Sequence, residues 1–171
     1  MGIALKQPTA AGLRAFLLVL ALLPLAGSAG MVGDAAPDFV LKSVAGPNLR
    51  LSEYRGRVVL LGFWASWCGD CRAQLRQLEE IRSRYEGTGF DLLTVSLDSE
   101  QRQARKAAES LDLGFPVMHD SDGSIGELYQ VDSMPYVALI DRDGFVRAEF
   151  TGYRRGDESD YLEQVRALLG D

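Results

Sequence analysis

The stretch Val58-Val59-Leu60-Leu61-Gly62-Phe63-Trp64-Ala65-Ser66-Trp67-Cys68-Gly69-Asp70-Cys71 decides how the rest of the chain is read. Val58 to Phe63 is apolar without a break, the pattern of a strand buried on both faces inside an α/β sheet. After the cysteines, Leu75, Leu78, Ile81, Arg82 and Tyr85 recur at helical spacing up to Gly87. Two cysteines thus sit where a buried strand hands over to a helix. There the Cys68 sulfur meets free backbone N–H groups and the positive end of the helix dipole, which favour thiolate, the nucleophilic form. Cys71, one turn further in, is expected to be more buried and able to attack a mixed disulfide on Cys68. Gly69 is expected to let the helix start close to Cys68 without crowding.

Working outward, Phe39-Val40-Leu41 and Leu49-Arg50-Leu51 flank the turn residues Ala45-Gly46-Pro47-Asn48, which suggests a peripheral hairpin. Leu92 to Leu97 is a second central strand and Glu100 to Leu111 a helix. Gly114 to Met118 reads as a loop entering a short strand, and Ile125 to Tyr129 as a short helix. Tyr136–Ile140 and Phe145–Phe150 are strands joined by Asp141-Arg142-Asp143-Gly144. Val146, Ala148 and Phe150 alternate with Arg147 and Glu149, as on an edge strand with one solvated face. A helix follows from about Asp157, with the charge run Asp157-Glu158-Ser159-Asp160 read as its N-terminus. The order predicts an α/β fold with a central mixed sheet and helices on both faces.

The 171 residues suit one domain plus a targeting segment. Lys6 and Arg14 precede the apolar run Ala15 to Leu25, small residues follow through Ala29, and the first acidic residue is Asp34. That order is a secretory signal peptide over 1–29, with 30–171 as the working domain. The run is too short for a span of about 20 residues, though an uncleaved N-terminal membrane anchor is the alternative. Periplasmic or other extracytoplasmic location follows. Without residues 1–29, 16 basic face 24 acidic residues, a net −8. Such a surface excludes nucleic acid as a partner, since phosphate contacts need clustered Lys and Arg.

The two cysteines are the only ones in the chain and lie three positions apart. A structural disulfide in an exported domain usually closes a longer loop, so this pair points to exchange chemistry. Zinc needs about four ligands, and only His119 accompanies the pair. No metal and no cofactor is implied. His119 itself reads as a surface loop residue.

The chain resembles the exported thioredoxin-like reductases of the TlpA/ResA/CcmG type over roughly residues 34–169. The matching residues are Gly33-Asp34-Ala35-Ala36-Pro37-Asp38-Phe39, Gly56 to Leu61, Trp64 to Arg72, Val95-Ser96-Leu97-Asp98, Phe115-Pro116-Val117, and Met134-Pro135 ahead of Val137 to Gly144. The resemblance implies a thioredoxin-like fold with an N-terminal hairpin and a central βα insertion. It implies a redox couple of Cys68 and Cys71, and a cis Pro135 facing them. It also implies a substrate-binding surface of Trp67, Gly69, Asp70, Met134 and Pro135, with the Met134 backbone pairing with an extended substrate. Protein disulfides would be the substrates, a membrane thiol-transferring protein of the DsbD or CcdA sort the electron donor, and the chain a monomer.

Several positions depart from that family. Asp70 replaces the proline of WCxPC. Its charge suits a first helical turn but opposes a Cys68 thiolate, at ~5 Å and effective ε ~40 by about 1.7 kcal/mol. Gln74 replaces a glutamate of the cytochrome-maturation reductases, and a neutral amide is no acid–base group. Gly62 stands where thioredoxin carries a buried aspartate, and Arg76 replaces a helix proline. Readings left open are an oxidase or isomerase of the same fold, a peroxiredoxin-like peroxidase and a copper-binding assembly factor. A peroxidase site needs a hydroxyl at Ala65 and a proline at Leu61. Copper chaperones of this fold space their cysteines CxxxC.

Overall fold

The computed structural model describes Gly2 and residues 30–170. The signal sequence expected over 1–29 therefore lies outside the described residues, Gly2 apart. Two antiparallel strands, β1 (Val40–Lys42) and β2 (Asn48–Arg50), form the hairpin at one end of the molecule. Leu51, expected to close the second strand, instead begins a 3-10 turn over Leu51–Tyr54.

A five-stranded sheet follows, built from β3 (Val58–Trp64), β4 (Phe90–Ser96), β5 (Val117–His119), β6 (Tyr136–Ile140) and β7 (Val146–Thr151). Its order is β5-β4-β3-β6-β7, with β3, β4 and β5 parallel and β6 and β7 antiparallel to their neighbours. The unbroken apolar run of β3 is explained by its place: every residue from Val58 to Trp64 is buried between two strands and two layers. The helices are α1 (Gly69–Arg84), α2 (Gln101–Ser110), α3 (Ser124–Leu128) and α4 (Glu158–Leu169).

Alternation along β3 divides the interior into two cores. Val58, Leu60 and Trp64 pack with Leu75 and Leu78 of α1, Ala104 of α2, and Tyr161 and Val165 of α4. Val59, Leu61 and Phe63 face Tyr129 at the end of α3, Phe39, Leu51 and Met31. Helices thus lie on both faces, as expected. The hairpin and the β4-α2-β5 insertion are joined by Val44 donating to the Val117 carbonyl at 2.8 Å.

Strand β7 is an edge, but the expected alternation fails at one place. Ile140 pairs with Val146 and Leu139 with Ala148, which leaves Arg147 as an extra residue in a bulge. Val146 consequently enters the core of Leu61 and Phe63, whereas Ala148 and Phe150 pack on the opposite one.

Candidate active site

Helix α1 begins at the cysteines because Cys68 is its cap. Cys68 is extended (φ −81°, ψ 111°), and its Sγ accepts the Cys71 N–H at 3.2 Å. The two residues are joined by a disulfide, with Cα atoms 5.3 Å apart. Cys68 keeps 8% of its surface and Cys71 none, so an incoming sulfur reaches Cys68 first. Asp70 is exposed in the first turn. Beyond its chain neighbours, a Cβ at Gly69 would meet nothing within 4 Å, so the outer side of the glycine is open.

The loop before Cys68 is held from β4. Asp98, fully buried, accepts the Ser66 N–H at 3.0 and 3.1 Å on its two oxygens, the Ser66 hydroxyl at 2.7 Å and the Ser96 hydroxyl at 2.8 Å. Such a set of donors is what lets a carboxylate stay buried. The Leu97 N–H adds a bond to the Trp64 carbonyl at 2.8 Å. His119 belongs to this support. It ends β5, is half-buried, and its Nε2 lies 2.8 Å from the Asp98 carbonyl oxygen, so it is not a surface loop histidine.

After β5, Asp120 fixes the start of α3. Its Oδ2 accepts from Ile125 N at 3.0 Å and Gly126 N at 2.9 Å. Burial pushes this carboxyl up, and the two backbone bonds only partly offset that. After α3 the chain reverses through Gln130, at φ 52°, with Val131 N bonding back to the Gly126 carbonyl at 2.9 Å. This reversal brings Val131 to Met134 against Trp67–Asp70, and together with Leu97 they line a groove of ≈ 390 Å³.

Of the expected site residues, Trp67, Cys68, Gly69, Asp70 and Met134 line this one groove. Cys71 is buried in the core, and Pro135 is buried at the entry to β6. The Met134–Pro135 bond is cis, as the resemblance implied. Trp67 stands out from the surface, 69% exposed, whereas Trp64 is core. Gln74 is buried near Cys71 and donates to the Tyr161 hydroxyl at 2.9 Å. Burial pushes Tyr161 up to about 12, so this amide–phenol pair is neutral at physiological pH. Beside Gly62 the space is apolar, bounded by Leu78 Cδ1 and Thr94 Cγ2 at 3.5 and 3.7 Å from where a Cβ would stand. Neither position supplies a proton relay.

Sequence reading gave Leu97 and Asp98 no role beyond the resemblance, and missed Asp120 and the groove residues Val131, Asp132 and Ser133. Asp98 had one available signal, an acid directly after a buried strand that ends in serine.

Residues 32–149 match the AhpC/TSA family. The thiol-disulfide oxidoreductase ResA of Geobacillus kaustophilus is 35% identical over 136 residues, covering 79% of this chain and 78% of its own. A crystal structure from Chlorobium tepidum, provisionally assigned as a thiol:disulfide interchange protein DsbE, superposes with a TM-score of 0.79. It is 37% identical, over 81% of this chain and 98% of that one. The pneumococcal exposed lipoprotein thioredoxin of Streptococcus pneumoniae has a TM-score of 0.67 at 35% identity, over 77% of this chain and all of that one. The redox pair at the head of α1, the sheet behind it and these likenesses agree: the chain belongs to the AhpC/TSA family and is a thiol–disulfide oxidoreductase with a thioredoxin-like fold.

Proposed function

We propose that the chain reduces disulfides of exported proteins, with Cys68 attacking and Cys71 resolving. The observation that carries this reading is the difference between the two sulfurs: Cys68 opens onto the groove and Cys71 is sealed beneath it. In the first step the Cys68 thiolate attacks a substrate disulfide. A Cys68–substrate bond forms, the substrate S–S bond breaks, and the leaving sulfur takes a proton. The Cys71 thiolate then attacks the Cys68 sulfur, the second substrate thiol departs, and two electrons have moved to the substrate.

Trp67 offers apolar surface to the partner, while the open sides of Gly69 and Asp70 admit its backbone. Among the described residues, no hydrogen bond engages the backbone N–H or C=O of Met134, so both are free to pair with an extended segment. The product disulfide needs re-reduction, for which a membrane thiol-transferring donor of the DsbD or CcdA sort fits. The basic, apolar and small-residue order of 1–29 supports export, with 30–171 as the working domain and a monomer as the acting form. Ala65 and Leu61, both buried, give a peroxide none of the polar contacts it needs.

The test is an equilibrium redox titration of Cys68/Cys71 in a thiol–disulfide buffer. A midpoint at or below about −230 mV, the thioredoxin and glutaredoxin range, is expected. One at about −120 to −180 mV would make the chain an oxidase or isomerase instead.

A further inference from the structure

We propose that the substrate groove continues past Cys68 into a second subsite between the end of β4 and α3, and that this subsite takes a lysine or arginine side chain of the substrate segment. The proposal rests on the reading above, in which that segment lies along Met134.

The groove at the disulfide shares Leu97, Val131 and Asp132 with a second groove of ≈ 460 Å³, which runs on past Gly126, Glu127 and Gln130. The two grooves adjoin, with Leu97, Val131 and Asp132 between them. The floor where they meet depends on Gly126. A Cβ there would come within 3.2 and 3.3 Å of the two Leu97 methyl carbons, displacing the side chain that joins the two halves. The left-handed Gln130 turn then sets Val131 and Asp132 at the junction.

Apolar floor and acidic rim together match one kind of side chain. Leu97 and Val131 can cover the methylene stem of a lysine or arginine. Asp70 stands at one end, Asp132 at the junction and Glu127 at the far end, and no Lys or Arg lines either half. None of the three carboxylates enters an ion pair among the described residues. The neighbouring cation on α1, Arg72, donates instead to the Ser66 carbonyl at 3.2 Å. Alternate residues of an extended segment face the same way at a rise of about 3.3 Å per residue. A cation two or four positions from the substrate cysteine is therefore carried along the adjoining grooves, and an acidic residue there is repelled by the same carboxylates.

Two peptides decide it. Each carries one cysteine in a disulfide with 2-mercaptoethanol, and they differ only in having Lys or Glu at the second and fourth positions from that cysteine. With pre-reduced protein at low ionic strength, the Lys peptide is expected to react about three- to tenfold faster. That ratio should fall toward one in about 0.5 M salt and in the Glu127→Gln/Asp132→Asn variant. Equal rates, or a ratio that survives the double substitution, would overturn the subsite. Bis(2-hydroxyethyl) disulfide, uncharged and without a peptide chain, keeps the two readings apart. If the unmodified protein does not reduce it, the reductase reading fails. If it does and the peptides react equally, the subsite alone fails.

Discussion

Asp70 is the residue at which helix and nucleophile want different things. Its carboxylate suits the first turn of α1 but stands beside the place where Cys68 must carry negative charge. The Coulomb figure of about 1.7 kcal/mol is an upper value, because Asp70 is exposed and water and salt screen it. For a two-electron couple, 1.4 kcal/mol corresponds to about 30 mV. Asp70→Asn is therefore expected to make the midpoint less negative by at most about 36 mV. It should also lower the pH at which reduced Cys68 becomes reactive towards iodoacetamide. An unchanged midpoint and an unchanged alkylation profile would show that the charge does not reach the sulfur. Gln74 offers no compensation at Cys71, since its amide is already committed to Tyr161.

At the scale of elements, the β6–β7 hairpin is pinned by one carboxylate. Asp141 Oδ1 accepts from Asp143 N at 3.0 Å and Phe145 N at 2.9 Å, and Oδ2 takes Arg147, the residue of the bulge. Gly144 is required there, at φ +84° and with the Arg55 guanidinium occupying the space of a Cβ. Burial alone would raise the Asp141 carboxyl, but the Phe145 amide and Arg147 outweigh it and hold it below the ordinary 3.8. A depressed folded-state pKa stabilises the fold above the unfolded value, and that contribution is lost as pH falls through the folded one. Asp141→Asn is expected to lose about 1 kcal/mol in urea unfolding at pH 7. The gap to the unmodified protein should close as the pH drops below 3.8.

Over the whole molecule, both cores hang on β3. Leu61 is fully buried at its centre, between Leu93 of β4 and Ala138 of β6. Leu61→Ala removes packing that no loop can refill, so about 2–5 kcal/mol of stability should go, read as a melting temperature lower by about 2–4 °C per kcal/mol. A loss below about 1 kcal/mol would mean the sheet collapses onto the gap. The strand–cysteine–helix unit and the sheet it implies were legible because their signals are local: an unbroken apolar run, a helical period, a cap. Alternation in β7 misled because a bulge inserts a residue without disturbing the sequence pattern. Asp98 and Asp120 were hidden because a buried acid and a loop acid read alike until their donors are placed. The groove was out of reach since Cys68, Leu97, Val131 and Met134 come from separate stretches of chain that only the fold brings together.

Cys68 Sγ is at once the reacting atom and the acceptor that closes the first turn of α1 through the Cys71 amide. A thiolate accepts a hydrogen bond more strongly than a sulfur tied in a disulfide. The firmness of the helix end therefore follows the electron count of the site, tighter when charged with electrons and slacker once they are spent. The resolving residue thus serves the helix through its backbone amide and the chemistry through its sulfur.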